Sequence, residues 1–254
     1  DALRFYRGGA WSRRAIEIPP AWRDTRIILR FGAVDYQAEV WVDDRAVGSH
    51  TGGYLPFEID VTDAVVAGET HALTVRVSDP NNDRSRWAPP FSEIPHGKQS
   101  WYGPLSGIWQ SVTLEARPPA HITRLRVTTN VAEQSVAVTL DLSPLTGVDA
   151  WATLTIIAPG GGIVAEAPLT CTGAQATGTV TLAEIALWDL DAPLRYTAIA
   201  TLHAGAHVDR VQTRFGFRSF AARDGSLWLN GRPLMLRGAL DQDYYPDRIC
   251  TPPS

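Results

Sequence analysis

One long stretch of the chain carries the side chains that could do chemistry. Residues 79–106 show no strand pattern and hold four aromatic residues, Trp87, Phe91, Trp101 and Tyr102. Gln99 and other amide, acidic and basic side chains lie between them. Aromatic rings pack against the CH face of a sugar, and planar polar groups can form paired hydrogen bonds with its hydroxyls. Structureless loops of more than about 12–15 residues are usually binding loops, lids or disordered segments. The stretch therefore indicates a carbohydrate site, although the same rings could simply hold a long loop against its domain.

A second candidate loop spans residues 50–57. Its glycines, Gly52 and Gly53, permit a turn that brings the backbone close to another group. His50 and Tyr54 could then reach a ligand, or they could brace the turn. Bracing is the favoured interpretation, and His50 is kept as a candidate binding residue.

The chain contains no catalytic constellation of its own. It has no Gly-x-Ser-x-Gly elbow, no phosphate loop and no His-Glu-x-x-His motif, and its six histidines show no common ligand spacing. A loose acidic group near the end, Asp241, Asp243 and Asp247, could bind a cation, but an ordinary polar loop is the simpler interpretation. We predict no catalytic residue, no metal site and no cofactor in this chain.

Composition excludes two classes of partner. The formal net charge of -4 over 254 residues provides no basic face for nucleic acid. No apolar run approaches the roughly 20 residues of a membrane span. The chain opens at Asp1 without a signal segment, which favours the cytoplasm, but its N-terminus looks truncated and the compartment stays open.

Alternation with a period of two dominates the chain and predicts antiparallel strands with one face in a core. Leu73, Val75 and Val77, for example, alternate with polar residues. Pro118 and Pro119 interrupt this pattern, and about seven short strands follow in roughly 100 residues, which is typical of an immunoglobulin-like sandwich. Core packing is predicted for the tryptophans inside strand patterns: Trp41, Trp109, Trp151 and Trp228.

The end of the sequence reads like the beginning of another domain. Residues 227–238 contain two short apolar runs joined by Asn230-Gly231, a pair that favours a tight hairpin turn. The second run, 234–236, is continuously apolar and suits a strand buried on both faces of a parallel sheet or barrel. We therefore expect the chain to stop just inside a further domain.

Several motifs, in consistent order, resemble glycoside hydrolase family 2, which includes β-galactosidases, β-glucuronidases and β-mannosidases. The most specific are LRFGAVDYQAEVWV, HTGGYLPFEIDVT and SGIWQSV in the first half of the chain. The full set lies at 29–42, 50–62, 97–99, 106–112, 188–196, 215–218, 229–231 and 236–242.

The resemblance implies an all-β fragment with three parts. Residues 1–118 would form a jelly-roll, galactose-binding-like β-sandwich, and 119–218 an immunoglobulin-like β-sandwich. Residues 219–254 would form a short hairpin from a truncated β/α barrel. The family's retaining mechanism uses two glutamates about 5 Å apart. These belong to later barrel strands, so the fragment is expected to be inactive.

The resemblance also points to residues at the edge of a sugar pocket. Gln242, beside Asp241, stands where the better-known galactosidases have a histidine, and Gln99 and Trp101 belong to a loop that reaches the same pocket. The whole protein would hydrolyse a β-galactoside, β-glucuronide or related carbohydrate. Two alternatives remain: a stand-alone carbohydrate-binding or adhesion module, and a structural scaffold. The sandwiches could also mediate homo-oligomer contacts.

Overall fold

The computed structural model describes residues 8–80, 82–85, 90–94, 106–145 and 149–240. Within these residues the predicted all-β fold is confirmed, and the helical segments are three single 3-10 turns, Pro20–Trp22, Thr62–Ala64 and Phe91–Glu93. The chain divides into two compact units. The first comprises residues up to Thr123 with Leu142–Ala150 and Leu202–Asp209, and the second comprises Arg124–Asp141, Trp151–Thr201 and residues from Arg210 onward. The predicted boundaries after residues 118 and 218 stay a prediction.

The first unit contains the strands that precede the Pro118-Pro119 pair. They are β1 (Gly8–Glu17), β2 (Arg26–Phe31), β3 (Val34–Asp35), β4 (Gln37–Val42), β5 (Arg45–Thr51), β6 (Phe57–Asp60), β7 (Thr70–Asp79), β8 (Gly107–Ile108) and β9 (Val112–Arg117). Two sheets, ordered β1-β7-β4-β5 and β6-β2-β9, form the sandwich, and β3 pairs with β8 beside them.

Alternation places the core of this sandwich. Ala38, Val40 and Val42 of β4 are at most 1% exposed, whereas the residues between them face outward. The inward side chains form one cluster: Ile18, Ile27, Leu29, Phe31, Val34, Ala38, Val40, Val42, Ile59, Val61, Leu73, Val75 and Val77. Burial of these apolar side chains, at about 25 cal/mol per Å², is the main stabilisation of the fold.

The strands that follow are β10 (Ile122–Asn130), β11 (Ser135–Leu142), β12 (Ala150–Ile157), β13 (Ile163–Thr172), β14 (Gln175–Thr181), β15 (Tyr196–Ala204) and β16 (His207–Phe215). They form a seven-stranded sheet in the order β10-β11-β14-β13-β12-β15-β16. The predicted count of about seven strands in this part of the chain is thereby confirmed. The interior of this part includes Val136, Val138, Leu140, Leu154 and Ile156, each at most 2% exposed.

The C-terminal hairpin is present as predicted. It consists of β17 (Phe220–Arg223), β18 (Ser226–Leu229) and β19 (Arg232–Leu234), and Asn230 and Gly231 supply the positive φ angles of the turn, 50° and 76°. The following apolar run is predicted to be buried only within a further domain, and that burial stays a prediction. Met235 is 80% exposed and Leu236 is 68% exposed, because nothing among the described residues covers them.

None of the four tryptophans predicted to pack in the core is buried: Trp41, Trp109 and Trp228 are partly buried, and Trp151 is exposed. Trp151 is 55% exposed because alternation along β12 turns Ala152, Leu154 and Ile156 inward and leaves Trp151 on the opposite face. Trp41 faces outward from β4 by the same rule and is only partly covered. A tryptophan inside a strand pattern is thus not by itself a core residue.

Candidate functional site

The described polar cluster with the most unusual environment lies where β3 pairs with β8. Asp35 is the last residue of β3, and its register partner is Gly107, with a φ of 83°. The peptide bond between Asp35 and Tyr36 is cis. The pairing brings a carboxyl group from an early strand beside the end of the long polar stretch 79–106.

Asp35 is buried without compensation. The residue is 3% exposed, and its Oδ1 atom has no hydrogen-bond partner among the described residues. Burial, together with the smaller effect of the nearby Asp79 carboxylate, raises the pKa of Asp35 from 3.8 to about 7. Such a shift is the usual response of a carboxyl group that loses its hydration. Near neutral pH, a substantial fraction of this side chain is a neutral carboxylic acid.

The Gly52–Gly53 turn fits closely over this carboxyl group. A Cβ atom on Gly53 would lie 2.4 Å from Asp35 Oδ1, so no larger residue fits without displacement. Gly52 has a φ of 132°, and its N–H donates to the Tyr36 carbonyl oxygen at 2.9 Å. Both glycines are therefore required by geometry, one for its backbone conformation and one for close approach.

Aromatic side chains surround the same turn. The Trp109 indole N–H donates to the Gly53 carbonyl oxygen at 2.8 Å. The Tyr54 ring meets the Trp109 ring edge-on, with centroids 6.1 Å apart and planes at 68°. Tyr54 is 40% exposed and Leu55 is 71% exposed, so the tip of the turn presents ring and aliphatic surface to solvent. This combination can contact the CH face of a ligand.

His50 lies at the base of the turn. Its ring stacks on Phe57, with centroids 4.1 Å apart and planes at 12°, and Phe57 stacks on Phe31 of the core at 4.7 Å. The Nε2 atom of His50 is buried and has no hydrogen-bond partner among the described residues. In this structure the ring braces the turn, and contact between His50 and a sugar stays a prediction.

The described parts of the stretch 79–106 are tied together by polar contacts. Asn82 Oδ1 accepts a hydrogen bond from the Ser92 N–H at 2.8 Å, and Arg84 pairs with Glu93 at 2.5 Å. Ile94 is 4% exposed. Gln99 and Trp101 lie outside the described residues, as do Asp241 and Gln242, so their predicted sugar contacts stay predictions.

Asp35 and Trp109 are the residues of this cluster that sequence reasoning did not select. Asp35 could have been noticed as an acidic residue within a buried strand pattern, upstream of a Gly-Gly pair. Trp109 was predicted to pack in a core, and it is instead half-buried and bonded to the turn. The cluster joins residues that are far apart in the chain, and only the β3–β8 pairing brings them together.

The residues of this cluster can recognise a ligand by hydrogen bonds and can support the glycine turn. A neutral carboxyl group can both donate and accept a hydrogen bond, whereas a carboxylate can only accept. Across the described ranges, no group of three or more His, Cys, Asp or Glu side chains is placed to hold a metal ion. No helix in those ranges has the length and apolar character needed to cross a bilayer.

Two family models match the chain in succession. Residues 2–118 match the sugar-binding domain of the glycosyl hydrolases family 2, and residues 120–218 match a second model of the same family. The order agrees with the two sandwiches described above.

Individual relatives support the same assignment. A putative β-glucuronidase of Formosa agariphila is 28% identical over 92% of this chain, and a β-galactosidase, BgaC, of Bifidobacterium adolescentis is 26% identical over 85%. The chain spans 28% and 21% of the lengths of these relatives. The crystal structure of a Bacteroides uniformis β-glucuronidase superposes with a TM-score of 0.78 at 24% identity, covering 96% of this chain and 30% of that one. At that identity the superposition supports the fold alone.

Since both family models match in order and together cover most of the chain, the chain belongs to glycoside hydrolase family 2 and carries its sugar-binding and immunoglobulin-like domains.

Proposed function

We propose that this chain is the non-catalytic front part of a longer retaining glycoside hydrolase that cleaves β-glucuronides, β-galactosides or related carbohydrates. The observation that carries the proposal is the succession of the two family models within a chain that spans only 28% of its glucuronidase relative. In this proposal the two catalytic glutamates of the retaining mechanism belong to a barrel that follows the hairpin.

The chain's own contribution is to shape the edge of the sugar pocket. We propose that Gln99 and Trp101 approach the sugar from the long polar stretch, and that Asp241 and Gln242 do so after the hairpin. His50 would act from the base of the glycine turn. The buried Asp35 and the Trp109 hydrogen bond support this arrangement by fixing the Gly52–Gly53 turn in place.

The first experiment compares the isolated chain with the complete protein. The coding sequence is expressed once as residues 1–254 and once with any downstream coding sequence, and both products are assayed with 4-nitrophenyl β-glucuronide and β-galactoside. We expect turnover by the extended protein and none by the isolated chain. Turnover by residues 1–254 alone would contradict the proposal, as would a coding sequence that ends at Ser254, which would favour a stand-alone binding module.

The site assignment is tested in the extended protein. Gln99→Ala, Trp101→Ala and Gln242→Ala should each raise KM or lower kcat/KM, because each removes a proposed contact with the sugar. Trp151→Ala is the matched control, since this exposed tryptophan lies on a different sheet and is not assigned to the pocket. Unchanged kinetics in all three variants would remove these residues from the proposed pocket. A separate sedimentation measurement on the extended protein tests whether it forms a homo-oligomer, as the sandwich domains could mediate.

A further inference from the structure

The outer face of the β1-β7-β4-β5 sheet carries two adjacent tryptophans that the glycine-turn cluster does not use. Trp41 faces outward because its neighbours Val40 and Val42 point into the core. Trp11 of β1 is the register partner of Arg76 of β7, and directly opposed residues of an antiparallel pair share one face. Since Val75 and Val77 are buried, Arg76 and Trp11 also face outward.

The tryptophan pair forms a supported but open aromatic surface. The ring centroids of Trp11 and Trp41 are 5.3 Å apart with planes at 34°, and the Arg76 guanidinium carbon lies 5.8 Å from the Trp11 ring centroid. Arg76 is held in turn by Glu39, with Nη1 to Oε2 at 2.8 Å. Trp11 nevertheless remains 63% exposed. These contacts hold the Trp11 ring in place while most of the side chain stays exposed, and we name Trp11, Trp41, Arg76 and Glu39 the tryptophan platform.

The groups around the rings match one class of partner. An accessible indole face packs against the CH groups of a pyranose ring, and the adjacent guanidinium and carboxylate offer planar donors and acceptors to its hydroxyls. Glu39 pairs with Arg76 and offsets its charge, so the four residues of the platform carry no net charge. Ser49, opposite Glu39 on β5, and Thr74, opposite Trp41 on β7, add further hydroxyls on the same face. An apolar protein partner would leave these polar groups without hydrogen-bond partners.

We propose that the tryptophan platform binds a neutral β-linked glycan chain. Equatorial β linkages produce an extended ribbon whose successive rings can lie along a sheet face, and the two indole rings lie next to each other on this face, with centroids 5.3 Å apart. Binding here requires no hydrolysis, so the inference does not rest on the proposed enzymatic function. The platform would hold the protein on a polysaccharide that contains such a chain, whether or not the protein cleaves that polysaccharide.

The test measures retention of the 254-residue chain in native gels that contain soluble β-glucan, arabinoxylan, galactan or, for comparison, polygalacturonate. Isothermal titration with cellohexaose, xylohexaose and a β-galacto-oligosaccharide follows. Trp11→Ala should weaken binding about fivefold, since stacking on an aromatic ring contributes on the order of 1 kcal/mol. Glu39→Gln should weaken it less, and Trp151→Ala should leave it unchanged. Both tryptophan positions are exposed, and circular dichroism melts verify that each variant is folded.

Three results would overturn the proposal. The first is a wild-type chain that binds none of the neutral glycans, and the second is a Trp11→Ala variant that binds as the wild type does. The third is a Trp11→Ala variant whose only change is dissociation of an oligomer in sedimentation, which would make the platform an interface between copies of this chain. Retention on polygalacturonate alone is a case of the first result, because no neutral glycan is then bound.

Discussion

Replacing Asp35 by asparagine should stabilise the first unit at pH 8, with the gain disappearing as the pH falls toward 4. The folded-state pKa of Asp35 is about 7, above its ordinary value of 3.8. Because folding raises the pKa of this carboxyl group, its protonated form stabilises the fold fully below the pKa of the unfolded state. That stabilisation is lost as the pH rises through the pKa of the folded state. Asparagine is neutral at every pH, so the variant avoids the cost of a buried negative charge above pH 7.

The size of the effect follows from the pKa. At about 1.4 kcal/mol for each pH unit, a change from 3.8 to about 7 corresponds to up to about 4 kcal/mol at pH 8. The side chain is 3% exposed, so solvent screening removes little of this figure. Because the chain has two compact units, the measurement must report on the first unit by itself. Hydrogen exchange on peptides from β4 and β7 gives the opening free energy of the first sandwich. This opening free energy is measured for the wild type and for Asp35→Asn from pH 4.5 to 8.5.

A control with the opposite sign is available in Asp43. Its carboxylate accepts hydrogen bonds from the Ala72 N–H and the His71 ring, and these lower the pKa of Asp43 below its ordinary value. A lowered carboxyl pKa stabilises the fold above the unfolded value, so Asp43→Asn should destabilise at pH 7 and approach the wild type in strong acid. If the difference between Asp35→Asn and the wild type were constant from pH 4.5 to 8.5, the uncompensated burial of Asp35 would be refuted.

Further predictions concern the glycine turn. Gly53→Ala should destabilise the first unit by about 1–3 kcal/mol, because the new Cβ overlaps the Asp35 carboxyl group. The double variant with Asp35→Ala should recover most of that loss, and additive melting shifts would contradict the proposed clash. Trp109→Phe should cost about 1 kcal/mol, because it removes the donor to the Gly53 carbonyl oxygen. Both tryptophan variants are measured by chemical denaturation, and Trp228→Phe is the control. The Trp228 Nε1 atom is buried without a partner among the described residues, so this variant replaces an indole without removing a hydrogen bond.

Much of the fold could be predicted because local chemistry decides it. Leu73, Val75 and Val77 alternate with polar residues and are buried as one face of β7. Asn230 and Gly231 adopt the positive φ angles that their sequence favours. Both features depend on neighbouring residues alone, which a sequence displays directly.

The environment of the candidate site could not be predicted in the same way. Asp35 lies in a short strand whose partner, β8, comes much later in the chain, and its burial depends on that pairing and on the glycine turn above it. The shifted pKa of Asp35 follows from this burial and not from the residues beside it in sequence.

The sequence by itself determined the strand periods, the hairpin turn and the motifs of the family. Only the tertiary structure decided which faces of those strands are covered. Trp11, Trp41 and Trp151 are apolar by composition, yet all three lie on faces turned away from a core. The physical reason is that alternation assigns residues to two opposite faces, whereas burial requires another element of the fold to pack against one of them.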